Sequence, residues 1–493
     1  MLSILVAHSY FLSFDRKQQA RAKPYPPLAT LQVASMLRSL GHRVQLFDAM
    51  LADGMAEFEK LFAATQPQLL LLYEDNYNYL SKMCLLRMRE AACAMISLAQ
   101  VAGARAIAVG SDASEEPGPY LLAGADAVLI GEGLESLQAL VARLDHDVAT
   151  PASELSDVAP GIAVMIDSEV RVRTDGRRLA VSTPAPPAWD LIDLRRYREI
   201  WQHAHGYFSL NLAASRGCSF RCHWCSKPIW GNQYLQRDAR EIAAEMAELK
   251  RRYGAEHVWF ADDIFGFRVD WVTRFAAELR ECDGGLPFTI QTRADLMSPA
   301  MAHALAQAGC REVWIGAESG SQRILDAMNK GTTIEQIITA RTRLRTEHIR
   351  VGFFIQLGYL GEELEDILAT RDLIERCDPD DIGVSVSYPL PGTVFYEQVR
   401  QQFGDKTHWN ESDDLAMMFH GRYGTPFYRE VRDLLHEQVA ARQPMAASIR
   451  PEERQRKLRQ RWRQLIASEH SLRRADEPDQ VLQTPIHFAK PSG

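Results

Sequence analysis

Arg216-Gly217-Cys218-Ser219-Phe220-Arg221-Cys222-His223-Trp224-Cys225 is the most informative stretch of the chain. Three thiols at spacing CxxxCxxC follow a strand predicted over Phe208–Ala213. A loop this tight can wrap three thiolates around one face of a cubane iron–sulfur cluster, whose usual protein ligands are thiolates. Clusters of this type are commonly held by four ligands; three leave one iron open to a small molecule. A tetrahedral zinc site is the competing reading, but it asks for a fourth ligand, and His223, between two cysteines, is awkwardly placed to supply it. Three packing thiols within eight positions would be the remaining alternative.

Outward from the loop, the pattern is strand–helix–strand. Further strands are predicted at Val258–Ala261, Phe288–Gln291, Val313–Gly316, Gly352–Leu357 and Gly383–Tyr388. Helical spacing separates them, with Ile242, Met246, Leu249 and Tyr253 on one stripe. Six such units fit a partial (β/α)6 barrel over residues 206–400, with its site at the strands' C-terminal ends.

Upstream, residues 1–150 repeat the alternation with strands at Leu2–Ala7, Arg43–Phe47, Gln68–Tyr73, Arg105–Val109 and Ala127–Ile130, and a helix over Leu28–Leu40 closed by Gly41. This predicts an α/β fold with a doubly wound, Rossmann-like parallel sheet. Its ligand-facing turns would be Gly110-Ser111-Asp112 and Gly131-Glu132-Gly133. Residues 151–205 read as a linker with a small hairpin, Val170–Arg173 and Leu179–Val181 about Asp175-Gly176, followed by a Pro-rich stretch. Residues 401–493 read as a helical region, with Leu458, Trp462, Leu465 and Ile466 on one face of a basic helix.

Composition sets outer bounds. The 493 residues are 46% hydrophobic and 24% charged, with net charge −8, which suits a globular chain and argues against a nucleic-acid coat. The N-terminus lacks the basic region and cleavage site of a signal peptide, and no apolar run reaches the length of a membrane span. A cytoplasmic protein is expected; the basic tail leaves peripheral membrane contact open. The eight cysteines are too sparse for a disulfide scaffold.

Together with Phe260-Ala-Asp-Asp-Ile-Phe265, Gln291-Thr-Arg-Ala-Asp295, Gly316-Ala-Glu-Ser-Gly-Ser321 and Pro389-Leu-Pro-Gly-Thr393, the cysteine loop resembles the radical S-adenosylmethionine (SAM) superfamily. The resemblance implies a [4Fe–4S] cluster on Cys218, Cys222 and Cys225 that cleaves SAM reductively to a 5′-deoxyadenosyl radical. It implies SAM contacts from Trp224 at the adenine, Asp262 and Asp263 at the methionyl amine, and Glu318 at the ribose hydroxyls, with Arg293 and Gln356 as further contacts. It also implies a small-molecule substrate and an electron donor such as flavodoxin or ferredoxin.

Tyr25-Pro-Pro-Leu28, Gly41-His-Arg-Val-Gln-Leu-Phe-Asp48 and Gly124-Ala-Asp-Ala-Val-Leu-Ile-Gly-Glu-Gly133 are similar to the subgroup with an N-terminal cobalamin-binding domain. Cobalamin would then meet Gly110, Ser111, Asp112, Gly131, Glu132 and Gly133. The motif DxHxxG, whose histidine ligates cobalt, is absent, and His8 reads as a structural histidine. The resemblance implies methylation of an unactivated carbon; an oxidative cyclase or rearrangement enzyme like the anaerobic magnesium-protoporphyrin monomethyl ester cyclase is the alternative. A cobalamin or iron–sulfur sensor is the non-enzymatic one. A methylthiotransferase would need a second cysteine set where only Cys84 and Cys93 occur.

Overall fold

The computed structural model describes residues 1–83, 85–173, 185–225, 231–404, 408–409, 415–442 and 451–473. The first sheet contains β1 (Ser3–Ala7), β2 (Arg43–Phe47), β3 (Leu69–Tyr73), β4 (Arg105–Val109), β5 (Ala127–Leu129), β6 (Ile162–Ile166) and β7 (Glu169–Val172). Their order is β2-β1-β3-β4-β5-β6-β7, the first five parallel and the last two antiparallel. The order 2-1-3-4-5 is a doubly wound one. The run Leu-Leu-Leu-Leu-Tyr of β3 shows why both faces are covered. Leu69, Leu71 and Tyr73 join one apolar layer with Leu28 and Leu31, while Leu70 and Leu72 join the other with Phe58 and Met95.

The stretch read as a linker adds two strands to this sheet. β7 pairs back onto β6, through a turn at Asp167 and Ser168, both at positive φ. Asp175-Gly176 and Leu179–Val181 lie outside the described residues. The sequence read β7 correctly, but not its upstream partner.

The second series begins with β8 (Ser209–Leu212), β9 (Ser215–Gly217) and β10 (Tyr234–Gln236), then β11 (His257–Phe260), β12 (Phe288–Thr292), β13 (Cys310–Glu318), β14 (Arg350–Leu357) and β15 (Asp381–Val386). Six of these form an all-parallel sheet in sequential order, β15-β14-β13-β12-β11-β8. On its helix-covered side Phe260, Phe275 and Phe288 meet edge to face. On the inner side Trp314 stacks on Phe354 at 4.9 Å. A Cβ at Gly352 would come within 2.6 Å of the Trp314 ring, so only glycine seats that indole.

A strap from the first sheet crosses β8. Trp201 Nε1 donates to the Pro24 carbonyl, Asn211 Nδ2 donates to that of Pro26, and the Tyr25 and Ser209 hydroxyls lie 3.0 Å apart. Further along, helix Thr425–Ala440 packs on β15, and helix Pro451–Leu472 lies on it through buried Trp462 and Leu465. Ile466, expected on the same face, is exposed instead. Among the described residues no helix is long and apolar enough to cross a membrane.

Candidate functional site

The cysteine loop hangs from a two-stranded neck. Strand β9 ends at Gly217, immediately before Cys218, and β10 returns antiparallel to it. The turn after helix Gln322–Ala327 holds the loop's far side. His223 N donates to the Met328 carbonyl at 2.9 Å, Asn329 Nδ2 donates to Arg221 O at 2.7 Å, and Phe395 N donates to His223 O at 3.0 Å. All three cysteine side chains are half-buried. The His223 ring places Nδ1 3.2 Å from the Ala327 carbonyl. Among the described residues, no three of His, Cys, Asp and Glu converge as they would on a single metal ion. A cubane takes its thiolates at separate irons, a wider arrangement than the tetrahedron around one ion.

Beside the loop lies a buried ion pair. Lys330 Nζ donates to Glu318 Oε1 at 2.8 Å, and it sits 5.9 Å from the centre of the Trp224 ring. Burial alone would pull the Lys330 ammonium down, but Glu318 and then Cys222 hold it above its usual value. Glu318 occupies a left-handed conformation, φ 59°, where β13 slips register against β14. Gly316 makes the room: a Cβ there would lie 2.5 Å from Glu318 Oε1 and 2.6 Å from Lys330 Nζ. Two buried polar atoms near this pair, Trp224 Nε1 and Gln356 Oε1, have no hydrogen-bond partner among the described residues. One is a donor and the other an acceptor.

The two aspartates separate in role. Asp262 is buried and braces the neck, accepting from Ala214 N at 3.0 Å and from the Ser215 hydroxyl. Its burial pushes the carboxyl up to about 7. Asp263 turns toward the first sheet and accepts from Lys82 Nζ at 2.7 Å. Arg293 has Nε and Nη2 on the Asp295 carboxylate, with Nη1 3.8 Å from Cys222 Sγ.

At the strand ends of the first sheet, the predicted glycines and acids are wired inward. A Cβ at Gly110 would lie 2.8 Å from Glu74 Cγ, so that glycine makes room for a buried glutamate, which the Ser9 hydroxyl and amide hold. Gly131 and Gly133 both need positive φ, and a Cβ at Gly133 would press on Leu129 at 2.9 Å. Ser111 is buried beside Asp112, which accepts from Arg89 at 2.6 and 2.7 Å and from Tyr120 at 2.8 Å and meets His408 at 3.3 Å. Against the pull of burial, His408 and Arg89 hold the Asp112 carboxyl far below its ordinary range. His8 Nε2 accepts from Ala49 N at 3.0 Å and faces Asp48 at 3.1 Å, so it serves the β1–β2 ends.

The two rims face each other. Glu132 pairs with Arg216, both nearly fully buried, at the root of the cysteine loop, and Lys82 reaches Asp263. Trp409 bridges Leu85 and packs edge-on against Tyr388. Tyr79 combines a half-exposed ring with a hydroxyl whose ionisation is suppressed by desolvation and by Tyr388, Cys225 and Glu318 nearby.

Residues 212–374 match the family described as the Radical SAM superfamily. The chain carries a radical SAM domain. Among curated proteins it is 27% identical over 275 residues to an uncharacterized methyltransferase of Pyrococcus horikoshii, covering 55% of this chain and 57% of that one. It is 24% identical to the cytidylyl-2-hydroxyethylphosphonate methyltransferase of Streptomyces wedmorensis, covering 77% and 79%. The chain thus spans little more than half the length of the Pyrococcus relative. The cobalamin-dependent SAM radical enzyme OxsB, solved with aqua-cobalamin and SAM, superposes with a TM-score of 0.69 at 17% identity, covering 95% of this chain and 72% of that one. The methyltransferase TsrM of Kitasatospora setae, solved with cobalamin and a [4Fe–4S] cluster, gives 0.62 at 18%, covering 82% and 79%. The likeness therefore extends beyond the radical SAM domain to the arrangement of both sheets.

Sequence reading missed Lys330, Lys82, Tyr79 and the partnership of Arg216 with Glu132. Lys330 had a legible signal: it sits in Asn329-Lys330-Gly331, whose flanking residues adopt φ 51° and 67°, a tight turn at a strand-facing helix end. The others meet partners 84 or more residues away and leave no local trace. Cys84 lies outside the described residues; Cys93 is on helix Leu86–Val101 with its thiol toward Pro119 O.

Proposed function

We propose that the protein is a cobalamin-dependent radical SAM methyltransferase acting on an unactivated carbon of a small molecule. The observation that carries the reading is the cysteine loop seated on a buried Lys330–Glu318 pair, facing the rim of a doubly wound sheet. When bound, a reduced [4Fe–4S] cluster would cleave SAM to methionine and a deoxyadenosyl radical, and methylcobalamin would supply the methyl group.

The residues present fit these groups. Cys218, Cys222 and Cys225 supply the thiolates. Lys330 and Glu318 offer a cation for a carboxylate and an acceptor for hydroxyls or an ammonium. The unpartnered Trp224 Nε1 and Gln356 Oε1 match a purine, which carries both ring-nitrogen acceptors and an amino donor. Asp262 acts through the neck it braces, and Asp263 is the aspartate on the open side. On the first sheet, Gly131 and the Glu132 backbone offer a rim for cobalamin. His8 is committed to Asp48 and Ala49, so we assign no protein imidazole to cobalt. The two rims meet through Arg216–Glu132 and Lys82–Asp263, and a substrate held between them would be kept from water.

The test is anaerobic reconstitution with iron, sulfide and cobalamin, followed by incubation with SAM and a strong one-electron reductant. Methylation gives S-adenosylhomocysteine together with 5′-deoxyadenosine once substrate is present. Deoxyadenosine alone would move the assignment to the cyclase or rearrangement class. Neither product from an iron-replete protein would support a sensor.

A further inference from the structure

Arg293 meets the cysteine loop with unusual definition. The side chain is 6% exposed, and its guanidinium carbon lies 3.7 Å from the centre of the Phe220 ring, within the loop itself. Asp295 takes the Nε and Nη2 edge at 2.9 and 3.1 Å, and Nη2 also donates to the Lys330 carbonyl at 2.7 Å. A guanidinium is a rigid plane with its donors in a fixed fork. With one edge anchored twice and the face stacked, the direction of Nη1 is set, and it points to Cys222 Sγ at 3.8 Å. Asp295 grips the edge away from Nη1, so the pair is a dipole with its positive end toward the sulfur.

We propose that Arg293 is a positioning residue that fixes the Cys222 thiolate and raises the reduction potential of the iron–sulfur cluster bound there. The inference rests on the cluster assignment above. A thiolate-held cluster gains one negative charge when an external one-electron donor reduces it. Hydrogen bonds to its sulfurs and nearby positive charge favour that reduced state. Arginine remains charged at any working pH, and burial strengthens its field. Lys330, the other buried cation here, pairs with Glu318 and feels Cys222 only through space, whereas Arg293 turns an N–H on the sulfur.

The experiment uses the full chain, reconstituted anaerobically, with iron and sulfide quantified before a reductive titration followed by electron paramagnetic resonance. Absence of iron and sulfide from the unmutated protein would sink the functional reading itself. With that established, Arg293→Gln is expected to keep its iron and to shift the midpoint to a more negative potential, while Arg293→Lys shifts it less. An iron-replete Arg293→Gln protein with an unmoved or more positive midpoint overturns the proposal. So does loss of iron from both variants, because Arg293 would then be a scaffold for the loop only.

Discussion

The two rims of strand ends differ in what they do with their polar groups. At the first sheet the side chains described above have protein partners: His8 with the Ala49 amide, Glu74 with Ser9, Asp112 with Arg89, Glu132 with Arg216. At the second sheet a buried donor and a buried acceptor, Trp224 Nε1 and Gln356 Oε1, point to no partner, and a lysine–glutamate pair is packed beside reactive thiols. Buried polar groups in native proteins are almost always satisfied, so Trp224 Nε1 and Gln356 Oε1 mark a surface a ligand can complete, as do Asn76 Nδ2 and Ser81 Oγ on the first rim. What sets the second rim apart is the company its open atoms keep: a buried lysine–glutamate pair and three half-buried thiols.

That contrast can be broken in steps of decreasing size. Replacing Cys222 with alanine should reduce deoxyadenosine formation to background and lower bound iron, measured after identical reconstitution. Arg216→Ala leaves Glu132 buried without its cation; removing one partner of a buried pair costs about 3–5 kcal/mol, read as a lower denaturation midpoint. Gly316→Ala should be milder, about 1–3 kcal/mol of overpacking. Because the new methyl displaces Lys330 and Glu318, SAM affinity by equilibrium dialysis should fall as well, whereas Gly133→Ala on the first rim should leave it intact.

A pH series sharpens the comparison further. Asp262 is pushed from 3.8 up to about 7, so the folded chain holds a proton there that the unfolded chain releases. Stability from this group is complete below pH 4, falls as pH rises toward 7, and is flat beyond. The slope is at most about 1.4 kcal/mol per pH unit. Asp262→Asn cannot ionise and should lose less stability across that window in urea melts. The smallest effect belongs to His8→Ala: the absorption spectrum of bound cobalamin should not move, and a shift would make His8 a cobalt ligand.

Strand alternation was readable because apolar runs of five or six residues announce themselves, as Leu69–Tyr73 does. The parallel strands of both sheets follow from it. Strands β9 and β10 escaped because three residues each, Ser215–Gly217 and Tyr234–Gln236, are too short to carry a hydrophobic period, and they pair antiparallel with each other. The cysteines were legible as local spacing, and the aspartates as strand-end acids. That Asp262 is spent bracing Ser215 while Asp263 meets Lys82 is a matter of side-chain direction, which spacing does not encode. Lys330 sits in a readable Asn-Lys-Gly turn, but its pairing with Glu318, across a helix and a turn, is not written in that turn.

The strap at Pro24–Pro26 ties the chain's beginning to its middle. Tyr25 finds Ser209 across 184 positions, and Pro26 finds Asn211 across 185. During synthesis the strap emerges long before the strand that seats it, so Pro24–Pro26 must wait, undocked, until β8 appears. The strap is thereby among the later segments to settle, and deleting it would strip an edge of the second sheet while leaving the first sheet's own strands intact.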